Sequence, residues 1–185
     1  MLDFDKLEAA LREKFGDKIG ERKDFCGETT IRVEKSAIRA VCFFLRDDAR
    51  FRFNYLCDVI GIDYLNLGIS PRFDAIYHLY SIPNAARLRL KCGVDESDCR
   101  IDSVVPVWGG ANFLERETYD FFGIEFSDHP NLTRILMPED WEGWPLRKDF
   151  PLGGTKSYYY KRDTEPYVGE PDDLVPRIRK EITDI

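Results

Sequence analysis

The stretch ARLRLKCGV, residues 86 to 94, limits what this chain can fold into more than any other. Leu88, Leu90 and Cys92 alternate there with Arg87, Arg89 and Lys91. Successive side chains of a strand point to opposite faces, so this strand has one apolar face and one cationic face. It belongs in a sheet packed on one side and wet on the other, not in a parallel sheet covered on both. The run before it, RFDAIYHLY (72–80), is joined to it through SIPNA. Pro83 and Asn84 are turn formers, and the two runs read as a hairpin.

Other segments supply the second layer. Phe4, Leu7, Leu11 and Phe15 recur at helical spacing over 3–15, which predicts an amphipathic helix. ETTIRVEK (28–35) is β-branched and alternating, with a weaker strand expected over 21–26. Ser36 is placed to cap a second helix whose buried stripe would be Ile38, Val41, Cys42 and Leu45. LCDVIGIDYL (56–65) is apolar enough for a central strand, and IDSVVPVW (101–108) predicts a further strand at an edge because of Pro106. A third helix follows in GGANFLERETYDFF. Helix, one or two strands, helix, three strands with the further edge strand after them, and helix make a two-layer α+β domain.

From about residue 127 no apolar period of 2 or 3.6 persists, and prolines accumulate. Trp141, Trp144, Phe150, Tyr158 to Tyr160 and Tyr167 are unlike a disordered tail, which lacks aromatics. We therefore divide the chain into a domain over 1–127 and an extended C-terminal arm over 128–185 that docks on something else. In a chain of 185 residues this fits one domain plus an appendage.

The formal charge of −7 argues against a general nucleic-acid binder, because phosphate contact requires a net basic footprint. No stretch approaches the roughly 20 apolar residues that span a bilayer. The start, MLDFDKLEAALREKF, resembles neither a signal peptide nor a transit sequence. Cys26, Cys42, Cys57, Cys92 and Cys99 form no CxxC pair, so reduced and mostly buried thiols are expected rather than a cluster or zinc site.

The densest chemistry lies in ERETYDFFGIEFSDHPNLTRILMPEDWEGWPLRKDF (115–150). At 100° per residue, Ala111, Leu114, Thr118, Phe121 and Phe122 share one helix face. Glu115 and Glu117 fall at opposite edges of that face, while Arg116 and Asp120 lie together on the far side. A solvated helix would use these charges for solubility alone, each pair contributing tenths of a kcal/mol. A hydrolytic or metal site from Glu115, Asp120 and His129 is a second reading, but carboxylates at opposite edges cannot converge on one atom. His129 precedes Pro130, which favours an extended turn. The third reading is an interface. A buried Glu115 would then need backbone donors or a basic partner, such as Arg134, Arg147 or a residue of another chain.

ERETYDFFGIEFSDHPNLTRILMPEDWEGWPLRKDFPL resembles the signature region of the 30 kDa (C) subunit family of proton-pumping NADH:quinone oxidoreductase, respiratory complex I. That family carries ERExYD, then GIxFxxHPxLxRIL, then DWxGxPLRKDFPL, matched here from Glu115 to Leu152. Asp128 and Asn131 depart from it, where Gly and Asp are frequent. The likeness runs over roughly 30–155, weakening outwards. The resemblance implies a ferredoxin-like-related α-β(2)-α-β(3) domain followed by a helix and the extended arm. It implies a structural subunit with no catalytic residues and no flavin, iron–sulfur cluster or metal of its own. FMN and Fe–S clusters would belong to partner subunits. The implied partners are the quinone-site D subunit and the Fe–S-bearing B and I subunits, with membrane contact only through the complex. The expected place is the cytoplasmic side of a bacterial inner membrane. The expected interface residues are Glu115, Arg116, Glu117, Asp120, His129, Arg134, Asp140, Trp141, Arg147, Lys148 and Asp149. The equivalent subunit of a membrane-bound nickel–iron hydrogenase, or of a ferredoxin- or F420-linked dehydrogenase, would carry a similar arm.

Overall fold

The computed structural model describes residues 2–152 in full, and the backbone alone of two short strands at 157–160 and 166–169. The first helix, α1 (Phe4–Phe15), starts where the carboxylate of Asp3 accepts from the backbone N–H groups of Asp5 and Lys6. It ends at Gly16, whose φ of 57° only glycine adopts freely. Strands β1 (Ile19–Phe25) and β2 (Glu28–Val33) form a hairpin whose two turn residues, Cys26 and Gly27, both have positive φ. That geometry suits the right-handed twist of the flanking strands.

Helix α2 (Ile38–Asp47) buries Ile38, Val41, Cys42 and Leu45, the stripe the sequence predicts. Ser36 does not cap it. A tight turn over Lys35–Ala37 leads into the helix, and the Ser36 hydroxyl donates to Glu34 instead. Three antiparallel strands follow, β3 (Tyr55–Asp63), β4 (Phe73–Ser81) and β5 (Ala86–Val94). The sheet order is β1-β2-β5-β4-β3, closed in the middle by a parallel β2–β5 pairing. This is the α-β(2)-α-β(3) arrangement.

One face of this sheet carries the core. Ile31, Val33, Phe73, Ala75, Tyr77, Leu79, Leu88, Leu90 and Cys92 meet Leu7, Leu11, Ile38, Val41 and Leu45 of the first two helices. Helix α3 (Ala111–Phe122) completes that layer over β3. Phe122 lies so close to Gly61 that an added Cβ there would sit 2.5 Å from the ring, so only glycine fits. The hydroxyl of Thr118 donates to the Val59 carbonyl at 2.8 Å.

Three further expectations are corrected. The strand expected to be central over 56–65 is β3, which stands at the edge of the sheet beside β4 alone. Of 101–108 only β6 (Arg100–Asp102) is extended, and it pairs in parallel with β7 (Glu125–Ser127) outside the main sheet. Val104 onwards is turned, with Val107 and Trp108 donating to the Val104 carbonyl. The thiols are also less buried than expected: Cys42 and Cys92 are buried, but Cys26 and Cys57 are exposed. Further on, β8 (Ser157–Tyr160) and β9 (Pro166–Gly169) pair antiparallel. The aromatic contacts expected of Tyr158 to Tyr160 and Tyr167 lie outside the described residues.

Candidate interface at the charged helix

Glu115 is fully buried, and among the described residues no Lys or Arg is in ion-pair contact with it. Its two oxygens accept from the Ser103 hydroxyl and the Val104 backbone N–H, both at 2.7 Å. These donors hold the turn after β6 against α3, which is why the strand stops there. Burial pushes the Glu115 carboxyl up to about 7, against the pull of those two donors and of Arg39.

The His129 ring, also buried, places Nε2 3.9 Å from the carboxylate and 3.1 Å from the Asn112 carbonyl. Its Nδ1 accepts from the Asn131 N–H at 3.0 Å. That bonding pattern assigns the neutral, Nε2-protonated tautomer. Burial, with Arg116 adding to it, lowers the pKa of the ring and agrees with that form.

Asp120 does not share a solvated face with Arg116. Its side chain is wholly buried and bonds to Arg134 Nη1 at 2.7 Å. Its other oxygen accepts from three consecutive backbone N–H groups, those of Ile135, Leu136 and Met137, at 3.0, 2.8 and 2.9 Å. Burial alone would raise this carboxyl, but the Met137, Arg134, Leu136 and Ile135 bonds hold it below its ordinary value. Arg116 instead donates to the carbonyls of Thr133 and Arg134, each at 3.0 Å. Asp120 does lie outside the core face of the helix, as the helical period predicts. It is buried because residues 134–137 fold over it.

The remaining arm residues extend the same lacing. Arg134 Nη2 donates to the Gly143 carbonyl, and its guanidinium lies 4.6 Å from the Trp144 ring centroid. Arg147 Nε donates at 2.7 Å to Phe122, a terminal carbonyl of α3 where a cation is favoured. Its guanidinium stacks on Phe73 and faces Trp144, which meets Tyr119 edge-on at 5.1 Å. Trp141 stacks with Phe150. Asp149 reaches Arg72 at 2.7 Å, and the Lys148 backbone N–H donates to buried Asp63. Glu117, Asp140 and the Lys148 residue as a whole are exposed.

The three residues of a hydrolytic site are therefore not assembled. Glu115 and His129 are neighbours, while Asp120 faces the 134–137 turn. Among the described residues no group of three or more His, Cys, Asp and Glu is placed to hold a metal ion. Sequence reasoning missed Ser103, Asp63 and Arg72. Asp63, an acidic residue on a strand face otherwise turned to the core, carried the only local signal.

Fold and site together define a two-layer α+β domain whose charged signature secures the chain to itself. The family model for the respiratory-chain NADH dehydrogenase 30 Kd subunit matches residues 31–156, and the chain belongs to that family. The C subunit of the NADH-quinone oxidoreductase of Geotalea uraniireducens (strain Rf4) is 52% identical over 159 residues, covering 86% of this chain and 90% of that protein. That of Geobacter sulfurreducens (strain ATCC 51573 / DSM 12127 / PCA) is 48% identical over 159 residues, with 86% and 92% covered. Among solved structures, a trypsin-resistant fragment of Nqo5 is 33% identical with a TM-score of 0.56, covering 69% of this chain and 99% of the fragment. A chain of an archaeal membrane-bound sulfane sulfur reductase shares the fold alone, at 19% identity and a TM-score of 0.67, with 88% and 98% covered.

Proposed function

We propose that this chain serves as the C subunit of a proton-translocating NADH:quinone oxidoreductase, a non-catalytic member of its hydrophilic arm. It holds the arm's geometry while NADH oxidation on FMN and electron passage through Fe–S clusters take place in partner subunits. The observation that carries this reading is the use of the signature charges. Glu115, Asp120, Arg134 and Arg147 all bond within the chain, and among the described residues they leave no acid–base pair converging on an open site.

The same lacing turns apolar side chains outward. Ile135 and Leu136, whose amides Asp120 holds, are 37% and 54% exposed, and Leu146 is 47% exposed. Exposed aliphatics on a rigidly held turn are what a neighbouring protein would cover. We assign this surface to the quinone-site D subunit, with the Fe–S-bearing B and I subunits as further neighbours. The exposed Glu117, Asp140 and Lys148 would form its polar rim. No helix among the described residues is long and apolar enough to cross a membrane, which fits a protein held at the periphery of a bacterial inner membrane on the cytoplasmic side.

The test replaces the resident gene by an Ile135→Asp/Leu136→Asp variant and compares two activities in membranes. NADH-to-quinone turnover should fall at least tenfold, while NADH oxidation by ferricyanide, which needs only the flavin end, should fall much less. A variant that assembles and reduces quinone at the wild-type rate would overturn the assignment.

A further inference from the structure

The core occupies one face of the five-stranded sheet, and among the described residues most of the other face is bare. Register maps that bare face row by row. Lys23 stands opposite Thr30, then Arg89, His78 and Asp58. In the next row Arg32 stands beside Lys91, then Ile76 and Ile60. Arg87 faces Tyr80, which faces Tyr55. The β1–β2–β5 half is therefore mainly cationic, and the β4–β3 half carries isoleucines and tyrosines around the His78–Asp58 row.

Two features separate this face from an ordinary wet one. Its charges are unbalanced in a chain that is acidic overall. Asp74 receives both Arg32 and Lys91 at 3.2 and 2.9 Å, Arg89 is paired with Glu28, and Arg87 and Lys23 have no ion pair among the described residues. The apolar half is also uncovered, with Tyr55 and Ile60 at 53% and 37% exposure, and Phe25 at the far edge, on β1, is 71% exposed. Two grooves of about 510 and 430 Å³ run across it and share His78 and Arg89 as lining. At one end Tyr64 caps the face, its hydroxyl bonding Asp74 and Lys91. The rest is open.

We propose that this sheet face is a second docking surface, separate from the 135–146 surface, and that its occupant is a partner protein presenting carboxylates beside aliphatic or aromatic side chains. Arginines and tyrosines next to an apolar strip are the residue types that anchor protein interfaces. Unpaired cations on one half set the sign of the partner's rim. Nucleic acid fits less well, because the β4–β3 half offers Ile60 and the Asp58 carboxylate where phosphates would need donors. The inference rests on the chain working inside an assembly.

The experiment compares the full chain alone with the chain in its purified complex. Presence of the chain in the complex tests the preceding reading by itself. Acetylation of Lys23 and radical labelling of Tyr55 should be at least tenfold slower in the complex. Carbodiimide should link Lys23 or Lys91 to a carboxylate of another protein of the complex. An Arg87→Glu/Lys23→Glu variant should fold alone but be recovered in the complex at a tenth or less of the wild-type level, with Arg87→Lys restoring recovery. Unchanged labelling in the complex overturns the proposal. So does protection abolished by nuclease, or a cross-link only to residues 153–185 of the same chain.

Discussion

The Asp63 carboxylate accepts the backbone N–H of Lys148 at 2.8 Å, joining the end of β3 to a residue 85 positions downstream. Arg72 meets the same carboxylate at 2.9 Å and passes on to Asp149 and Glu96. Strand and arm thus share one buried charge.

Asp63 should be the most sensitive link of that knot. Burial works against its ionisation, but Arg72 and the Lys148 and Leu65 N–H groups bring the carboxyl down to about 2. A depressed carboxyl contributes stability that is present above its unfolded value near 4 and lost as pH falls towards 2. Asp63→Ala leaves Arg72 and two N–H groups short of a partner, and breaking a buried pair costs about 3–5 kcal/mol. Urea unfolding should show that loss at pH 7 and a much smaller one at pH 2.5.

Glu115 should act in the opposite sense. Its carboxyl titrates near 7 when folded and near 4.5 when unfolded, so the folded state keeps the proton the unfolded state has released. Stability attributable to this residue is full below about 4.5 and declines as pH rises to 7, by roughly 2–4 kcal/mol at 1.36 kcal/mol per unit. Glu115→Gln can still accept from Val104 and carries no charge to desolvate. Unfolding free energies measured from pH 5 to 8 should fall with pH in the wild type and lose most of that slope in the variant.

These two carboxylates also show what the sequence could and could not disclose. The 72–94 hairpin, the α2 stripe and the one-sided sheet were legible because alternation and helical period are local signals, as Leu88, Leu90 and Cys92 illustrate. The fate of Asp120 was not. Its burial depends on residues 134–137, which have no period of their own and are positioned by the carboxylate they cover. The overrun of the strand at 101–108 has a similar cause. Val104, Val105 and Val107 favour a strand locally, but Glu115, eleven residues on, captures the Val104 N–H and turns the chain.

Asp120→Ala should release the 134–137 turn before it unfolds the domain. Three amides lose their acceptor together, while Arg134 loses the carboxylate but keeps the Asp120 and Gly143 carbonyls. The turn is exposed enough to find water, so the global cost should be about 1–3 kcal/mol. Hydrogen exchange at Ile135, Leu136 and Met137 should accelerate at least a hundredfold, with the sheet amides unchanged. Glu117→Ala on the same helix, at an exposed position, should leave exchange at those amides as in the wild type.

Gly123 is where the helix ends and the arm begins, and it is constrained twice. Its φ of 72° ends α3 in the left-handed region, and a Cβ there would meet the Trp144 indole at 2.5 Å. The backbone strain of a non-glycine residue is about 1–3 kcal/mol. The clash adds to it, because Trp144 is held between Arg134, Arg147 and Tyr119 and cannot simply turn aside. Gly123→Ala should therefore destabilise the chain and shift its tryptophan emission to longer wavelength as Trp144 leaves its pocket. Gly109→Ala, where nothing lies within 4 Å of an added Cβ, should change neither. If Gly123→Ala keeps the wild-type spectrum and loses no more stability than Gly109→Ala, then Trp144 does not pin the arm to the end of α3.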